Sequence, residues 1–263
     1  NSVRPLSPQE TIRALELLEL HRHCMQMYTS CWWFFNDPSG IETVQVLRYA
    51  ARAVQLAERL FGRGLEGEFL KRLQKAKSNL PELGSARRLY ETQAEPASMT
   101  LADICAHHAI LSLFEDAPSP PAACYYLERE EHLRLESGKA RLALGRLRVR
   151  SRVTGESASF GFGALHLGDH NAAAGVRSFQ DERSFLAARE RLRTAFERAD
   201  LAASLSVLQR DFGQGYSLAS LFKDEQRKVL RRILESAEAE AWEVYRGLYE
   251  RQGGDQRLGH PDD

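Results

Sequence analysis

Helical periodicity at both ends of the chain, with strict alternation between them, predicts an α+β fold that is predominantly helical. Three observations carry the prediction. Apolar residues recur at helical spacing through the first 115 or so positions. They then alternate with charged neighbours, beginning with Tyr125, Leu127, Leu133 and Leu135. The helical period returns from Asp181. The expected organisation is a helical bundle over 1–117, an antiparallel meander over 118–180, C-terminal helices over 181–252 packing on the first two regions, and a frayed tail over 253–263.

Each element has a local reason. Ser7-Pro8-Gln9-Glu10 is a helix start, with serine as N-cap, proline in the first helical position and glutamate three residues after the cap. Ile12, Leu15, Leu18, Cys24, Met25 and Tyr28 then fall near helical spacing, so this helix should run to about Thr29. Asn36-Asp37-Pro38-Ser39-Gly40 is dense in turn formers and must break it. A second helix carries Val44, Leu47, Ala51, Val54 and Leu60 and should end near Gly62, and shorter helices are expected over 66–79, 85–94 and 100–115. In the alternating region Leu142 and Leu144 share one parity while Leu147 and Val149 share the other, which suggests a bulge at Gly145. Thr154-Gly155-Glu156 fits a hairpin turn, and Gly175–Phe179 a fourth short strand. From Asp181 onward Phe185, Ala188, Leu192, Ala195 and Phe196 should form one helix, Leu201–Phe212 another, and Asp224 to about Tyr249 a long final one.

Composition excludes several classes. With 36 basic and 36 acidic residues in 263, the charges cancel, and neither nucleic acid nor an acidic membrane is an expected partner. No run approaches the roughly 18 apolar residues of a membrane span, and no signal peptide is visible. Cys24, Cys31, Cys105 and Cys124 show no metal-ligand spacing and read as buried thiols in a reducing cytoplasm. No cofactor is expected, since phosphate-binding, serine-hydrolase and zincin motifs are all missing from the sequence. The chain opens Asn-Ser-Val without methionine, which fits either processing or a piece of something longer.

The most unusual segment joins the first two helices. Trp32, Trp33, Phe34 and Phe35 are consecutive, with Asp37 and Glu42 beside them. Neighbours on a helix point about 100° apart, so four successive rings cannot share one buried face. Some are expected to face a domain surface or a ligand, and rings beside carboxylates suit a sugar, whose C–H groups stack while its hydroxyls hydrogen-bond. The alternative is that two or three of the rings belong to the core. A second constellation is His166-Leu-Gly-Asp169-His170-Asn171, with Arg177 nearby. It fits a structural polar turn, a polar contact at a cleft or interface, or a metal site, though no third or fourth ligand is evident from spacing and no metal is expected. His107 and His108 read as satisfied helix histidines, and Glu128, Glu130 and Glu131 as a solvated strand face. Arg146, Arg148, Arg150 and Arg152 form a basic strand face that could bind an anion but is better suited to pairing with acidic strand neighbours.

Leu20-His-Arg-His-Cys-Met-Gln-Met-Tyr-Thr-Ser-Cys-Trp-Trp-Phe-Phe-Asn-Asp37, followed by Ser39-Gly-Ile-Glu-Thr-Val-Gln-Val-Leu-Arg-Tyr-Ala-Ala-Arg-Ala53, resembles the uncharacterised C-terminal region of a group of family 57 glycoside hydrolases. Lys75-Ala-Lys-Ser-Asn79, Ala106-His-His-Ala-Ile110, His166–Asn171, Gly175-Val-Arg177, Tyr216-Ser-Leu218 and Asp224-Glu-Gln-Arg227 extend the resemblance, in order, over about residues 8–235. Trp32 departs from it, standing where a small residue is expected. The resemblance implies an upstream (β/α) barrel of the same polypeptide that carries the catalytic carboxylates for retaining chemistry on α-linked glucans. Nothing in this chain reads as that barrel, so no catalytic residue is expected here. Asp37 and Glu42 could approach across the loop but are not assigned as the pair, which in a retaining enzyme stands about 5–5.5 Å apart. The implied role is to pack on the barrel and to contact an α-glucan or oligosaccharide through Trp32, Trp33, Phe34, Asp37 and Glu42. His166, Asp169, His170, Asn171 and Arg177 would form a polar cleft or interface. The alternatives are a non-catalytic interaction module using the aromatic loop, and a metal-dependent hydrolase built on His166, Asp169 and His170.

Overall fold

A computed structural model describes residues 4–62, 64–116, 124–213 and 215–255, and confirms an α+β, predominantly helical chain with one five-stranded antiparallel sheet. The chain divides into two compact units. The first takes 1–101, 124–126 and 150–157, and the second 102–123, 127–149 and 158–263. Among the described residues no helix is long and apolar enough to cross a membrane.

In the first unit, α1 (Pro8–Gln26) begins with the predicted capping box: Ser7 Oγ accepts from Glu10 N at 3.2 Å, and Glu10 Oε2 accepts from Ser7 N at 2.9 Å. It stops one turn earlier than its periodicity suggests, because Ser30–Phe34 winds instead into a short 3₁₀ turn. The second helix, α2 (Ile41–Phe61), ends where Gly62 takes φ +116°, a conformation that side chains rarely adopt. Next come α3 (Leu65–Leu73) and α4 (Ala86–Leu89), the latter continuing as a π-turn through Ala94. Leu47, Ala51, Leu89, Tyr90 and Ala94 form the core between them, with Phe69 edge-on to Tyr90 at 5.5 Å. Arg59 ties three segments together, reaching Glu16 on α1 at 2.8 Å and Glu156 of the 151–157 hairpin at 2.6 Å.

The second unit is built on the sheet, whose strand order follows the sequence: β1 (Tyr125–Ser137), β2 (Ala140–Ser151), β3 (Ser157–His166), β4 (Ala172–Ser178) and β5 (Gly215–Ser217). The helix preceding it is α5 (Leu101–Leu111), and α6 (Glu182–Glu197) and α7 (Leu201–Val207) fall between β4 and β5. Leu142, Leu144 and Leu165 share one cluster with Phe185, Leu192 and Phe196 of α6 and with Leu208 and Phe212 of the π-turn after α7. Glycines let this layer approach: a Cβ at Gly163 would lie 2.9 Å from both Leu192 and Leu208, and one at Gly175 2.8 Å from Phe212. On the opposite face His108 of α5 meets Phe162, and Phe114 meets His166. The parity change along β2 follows from this sandwich. Even positions are apolar where α6 covers them, and arginines beyond its start. Glycine at 145 answers to close approach, since a Cβ there would overlap the Glu131 carbonyl and sit 2.7 Å from the Phe162 ring.

The arginine comb is paired. Arg146 reaches Glu130 at 2.7 Å and also Glu182, Arg148 reaches Glu130 at 3.2 Å, and Arg189 pairs with Glu131. Glu130 and Glu131 are therefore ion-pair partners rather than a merely solvated face. The last helix, α8 (Lys223–Asp255), runs past Gly253-Gly254, where the sequence places a frayed tail; residues 256–263 lie outside the described residues. Its first half meets the segment after α5, with Val229 buried and Arg232 bound to Glu115 at 2.8 Å.

Candidate functional site

The aromatic loop of the first unit presents all of its rings to solvent. Trp33 is 63% and Phe34 83% exposed, Trp32 and Phe35 are also open, and Tyr28 and Ile41 flank them with open side chains of their own. None of the four consecutive rings belongs to the core, which removes the reading in which two or three of them are buried. A 3₁₀ turn advances about 120° per residue, so Trp32, Trp33 and Phe34 point in three directions. Trp32 braces Trp33 edge-to-face at 6.3 Å and 89°. An indole at position 32, in place of the small residue the resemblance implies, thus serves as a support for the next ring.

Asp37 fixes the loop. Its Oδ1 accepts from Ser39 N at 2.8 Å and Ser78 Oγ at 3.0 Å, and its Oδ2 accepts from Asn79 N. Bonding first to Ser39 and then to the Asn79 and Ser39 amides holds the carboxyl at about 2, well below its usual range. With bonds accepted from two chain segments, Asp37 positions the loop and has less acceptor capacity left for a ligand. Ser78 and Asn79 are the residues that motif reading misses, because nothing in their local pattern marks them as partners of a residue 41 positions away. Glu42 lies half-buried in the first turn of α2, without a hydrogen bond or ion pair among the described residues. Of the two carboxylates, Asp37 is engaged in holding the loop and Glu42 is not.

The polar constellation of the second unit divides. His166 ends β3 and is only 7% exposed; its Nε2 stands 2.8 Å from the Asp169 carbonyl, which fixes that nitrogen as the donor, while Nδ1 is buried without a partner. Asp169 takes φ +48°, and the turn closes through Leu167 N to Asn171 O at 2.8 Å and Asn171 N to Gly168 O at 3.1 Å. His170 and Asn171 are exposed at its tip. This is a polar β-turn whose histidine latches its own backbone. His166 and Asp169 also line a cleft of about 300 Å³ with Lys139, Arg141, Arg232 and Glu240. Among the described residues no group of three or more His, Cys, Asp or Glu side chains could hold a metal ion, so the metal-site alternative has no ligand set to rest on. Arg177 does not join this turn. It stands five residues further along β4, about 17 Å away at strand rise, opposite Gly161.

His107 and His108 also differ from expectation. Both are buried, and no ring nitrogen of either has a hydrogen-bond partner. Burial pushes the His107 imidazole down to about 4, and burial together with nearby Arg129 pushes His108 down to about 3. They are neutral core residues. The four cysteines are free, but only Cys105 is buried, its thiol pushed up by desolvation; Cys24 is half-buried, and Cys31 and Cys124 are exposed, against the expectation of buried thiols.

Neither the curated proteins nor the solved structures contain a match to this chain. A family model described as a domain of unknown function, DUF3536, matches residues 1–222, which takes in α1 through β5 and stops just before α8. On that coverage, the chain belongs to the DUF3536 family.

Proposed function

We propose that this chain is the non-barrel region of a family 57-like glycoside hydrolase acting on α-linked glucans in the cytoplasm. In this reading it packs on a catalytic barrel of the same polypeptide and lends aromatic contacts to the substrate cleft. One observation carries the proposal: four consecutive aromatic side chains stand exposed on a turn that Asp37 pins to the 78–79 segment. Exposing that much ring surface is costly in water and is typical of a surface that meets something else. Trp33 and Phe34 are the ring contacts, Trp32 braces Trp33, and Glu42 supplies a carboxylate close to the loop.

The test is Trp33→Ala in the intact polypeptide. The expected result is a KM for an α-glucan oligosaccharide raised about tenfold, as for loss of roughly 1.4 kcal/mol of binding, with kcat and thermal stability little changed. Unchanged KM and kcat would remove the loop from the site. Altered self-association on replacing Trp32 and Trp33, with no response to glycan, would instead make the loop a protein-docking surface.

A further inference from the structure

A cleft of about 750 Å³ opens on the α6 side of the sheet, between the end of β4, the first turns of α6 and the 208–212 turn. Its volume lies within the range of small-molecule sites, roughly 300–1,000 Å³. Its charges do not balance. Arg177 and Arg183 both line it, both are exposed, and neither has an ion-pair or hydrogen-bond partner for its guanidinium among the described residues.

The acidic groups nearby are already engaged. Asp181 caps α6, accepting from Ser184 N at 2.9 Å and Ser184 Oγ at 2.8 Å. Those bonds hold its carboxyl below the usual range, and the Arg183 charge adds only the smallest share. Asp211 is held by two guanidinium groups, Arg191 Nε at 2.8 Å and Arg210 Nε at 2.9 Å. Three arginines of the lining, Arg177, Arg183 and Arg191, thus face two aspartates, and Asp211 is further neutralised by Arg210 from outside it. Bare cationic side chains are ordinary on a convex surface, where water solvates them fully. In a cleft with low-dielectric walls the field of uncompensated cations is focused inward and favours an anion.

The rest of the lining narrows the ligand. Phe179 and Phe185 stand with ring centroids 6.1 Å apart, and Ser178 and Gln180 add neutral polar groups. Because Arg177 pairs across the ladder with Gly161, no side chain at that position screens it. A planar carboxylate is satisfied by one guanidinium fork, whereas a tetrahedral phosphate presents oxygens to two separate guanidiniums at once. We propose that this cleft binds a phosphorylated small molecule, its phosphate held between Arg177 and Arg183 and its organic body lying against Phe179, whose ring the Arg146 guanidinium covers from one side at 4.6 Å.

Calorimetric titration of the full chain at fixed ionic strength tests this, with inorganic phosphate, phenyl phosphate, phenol and benzoate as probes. Saturable binding of both phosphates is expected, tighter for phenyl phosphate, with none for phenol. Arg177→Ala and Arg183→Ala should each weaken it about tenfold to a hundredfold, the usual worth of a charged hydrogen bond. The melting temperature in chloride should not move, because both side chains are exposed and unpartnered. If an alanine variant nevertheless fails to fold, Arg177→Gln keeps the stem and removes the charge. The proposal is overturned if neither phosphate binds saturably at about 1 mM, if the double variant binds as well as the parent, or if benzoate matches phenyl phosphate.

Discussion

His107 and His108 are adjacent on α5, so they point in different directions, and yet both are buried. This follows from α5 being covered all round: Ile104, Cys105, Ala109 and Ile110 are as inaccessible as the histidines. Protonating either ring would bury an unpaired charge, so acid acts on the unfolded chain first. Unfolded histidine takes up a proton near pH 6.5, while the folded His107 and His108 wait until about 4 and 3. Stability is therefore fully present above pH 6.5 and falls with pH below it. Between pH 6.5 and 5 the loss should be about 2 kcal/mol per histidine. Urea unfolding at pH 7 and pH 5 measures it, and His108→Leu should remove about half of the difference. An equal pH dependence in the variant would mean that His108 is not the group responsible. The pair of histidines is visible in the sequence, but their lack of partners is not. That property depends on Phe222 and Phe162, residues far along the chain that meet the two rings with hydrocarbon rather than with acceptors.

Among the elements, the turn between α1 and α2 shows what local pattern can and cannot reveal. The run Asn36–Gly40 fixes a break between two helices, and the capping box at Ser7 and the glycine stop at Gly62 fall where their residues predict. The 3₁₀ winding of Ser30–Phe34 and the three-residue β5 are not legible, because neither is long enough to leave a period. The loop's anchor is hidden for a related reason: the partners of Asp37, Ser78 and Asn79, arrive from outside the segment. Asp37→Ala should release the loop while leaving the α2–α4 core intact. Chymotryptic cleavage after Trp32–Phe35 should accelerate several-fold, with the melting temperature nearly unchanged. Because the folded carboxyl titrates near 2 rather than at its ordinary 3.8, the anchor holds above pH 3.8 and is lost as pH falls through about 2. Equal cleavage rates in parent and variant would show that the loop is held by something else.

For the whole molecule, the end of the family match at Phe222 coincides with the start of α8 at Lys223. The family domain thus stops where a helix begins whose first half buries Val229 and bonds Glu115 through Arg232, and whose midpoint pairs Glu240 with Lys139. Its second half leaves Trp242, Tyr245 and Tyr249 exposed, so the stabilising contribution lies in the first three or four turns. Ending the chain after Phe222 should destabilise the second unit by about 3 kcal/mol, the order expected for uncovering one or two aliphatic side chains. Ending it after Glu240 should cost much less. Denaturant midpoints of the two truncations decide this, and indistinguishable values would mean that α8 contributes nothing by packing.

The strand order has a kinetic side. β1 to β4 are joined by turns of a few residues, so their three pairings close small loops and demand little chain entropy. β5 belongs to a different regime: Ala174 meets Tyr216 across more than forty residues, with α6 and α7 threaded between them. That last pairing can register only after the two helices have settled onto the glycine-lined face. The side of the sheet that closes last is therefore also the side on which the arginine-lined cleft is assembled, and the cleft exists only in chains that have completed the fold.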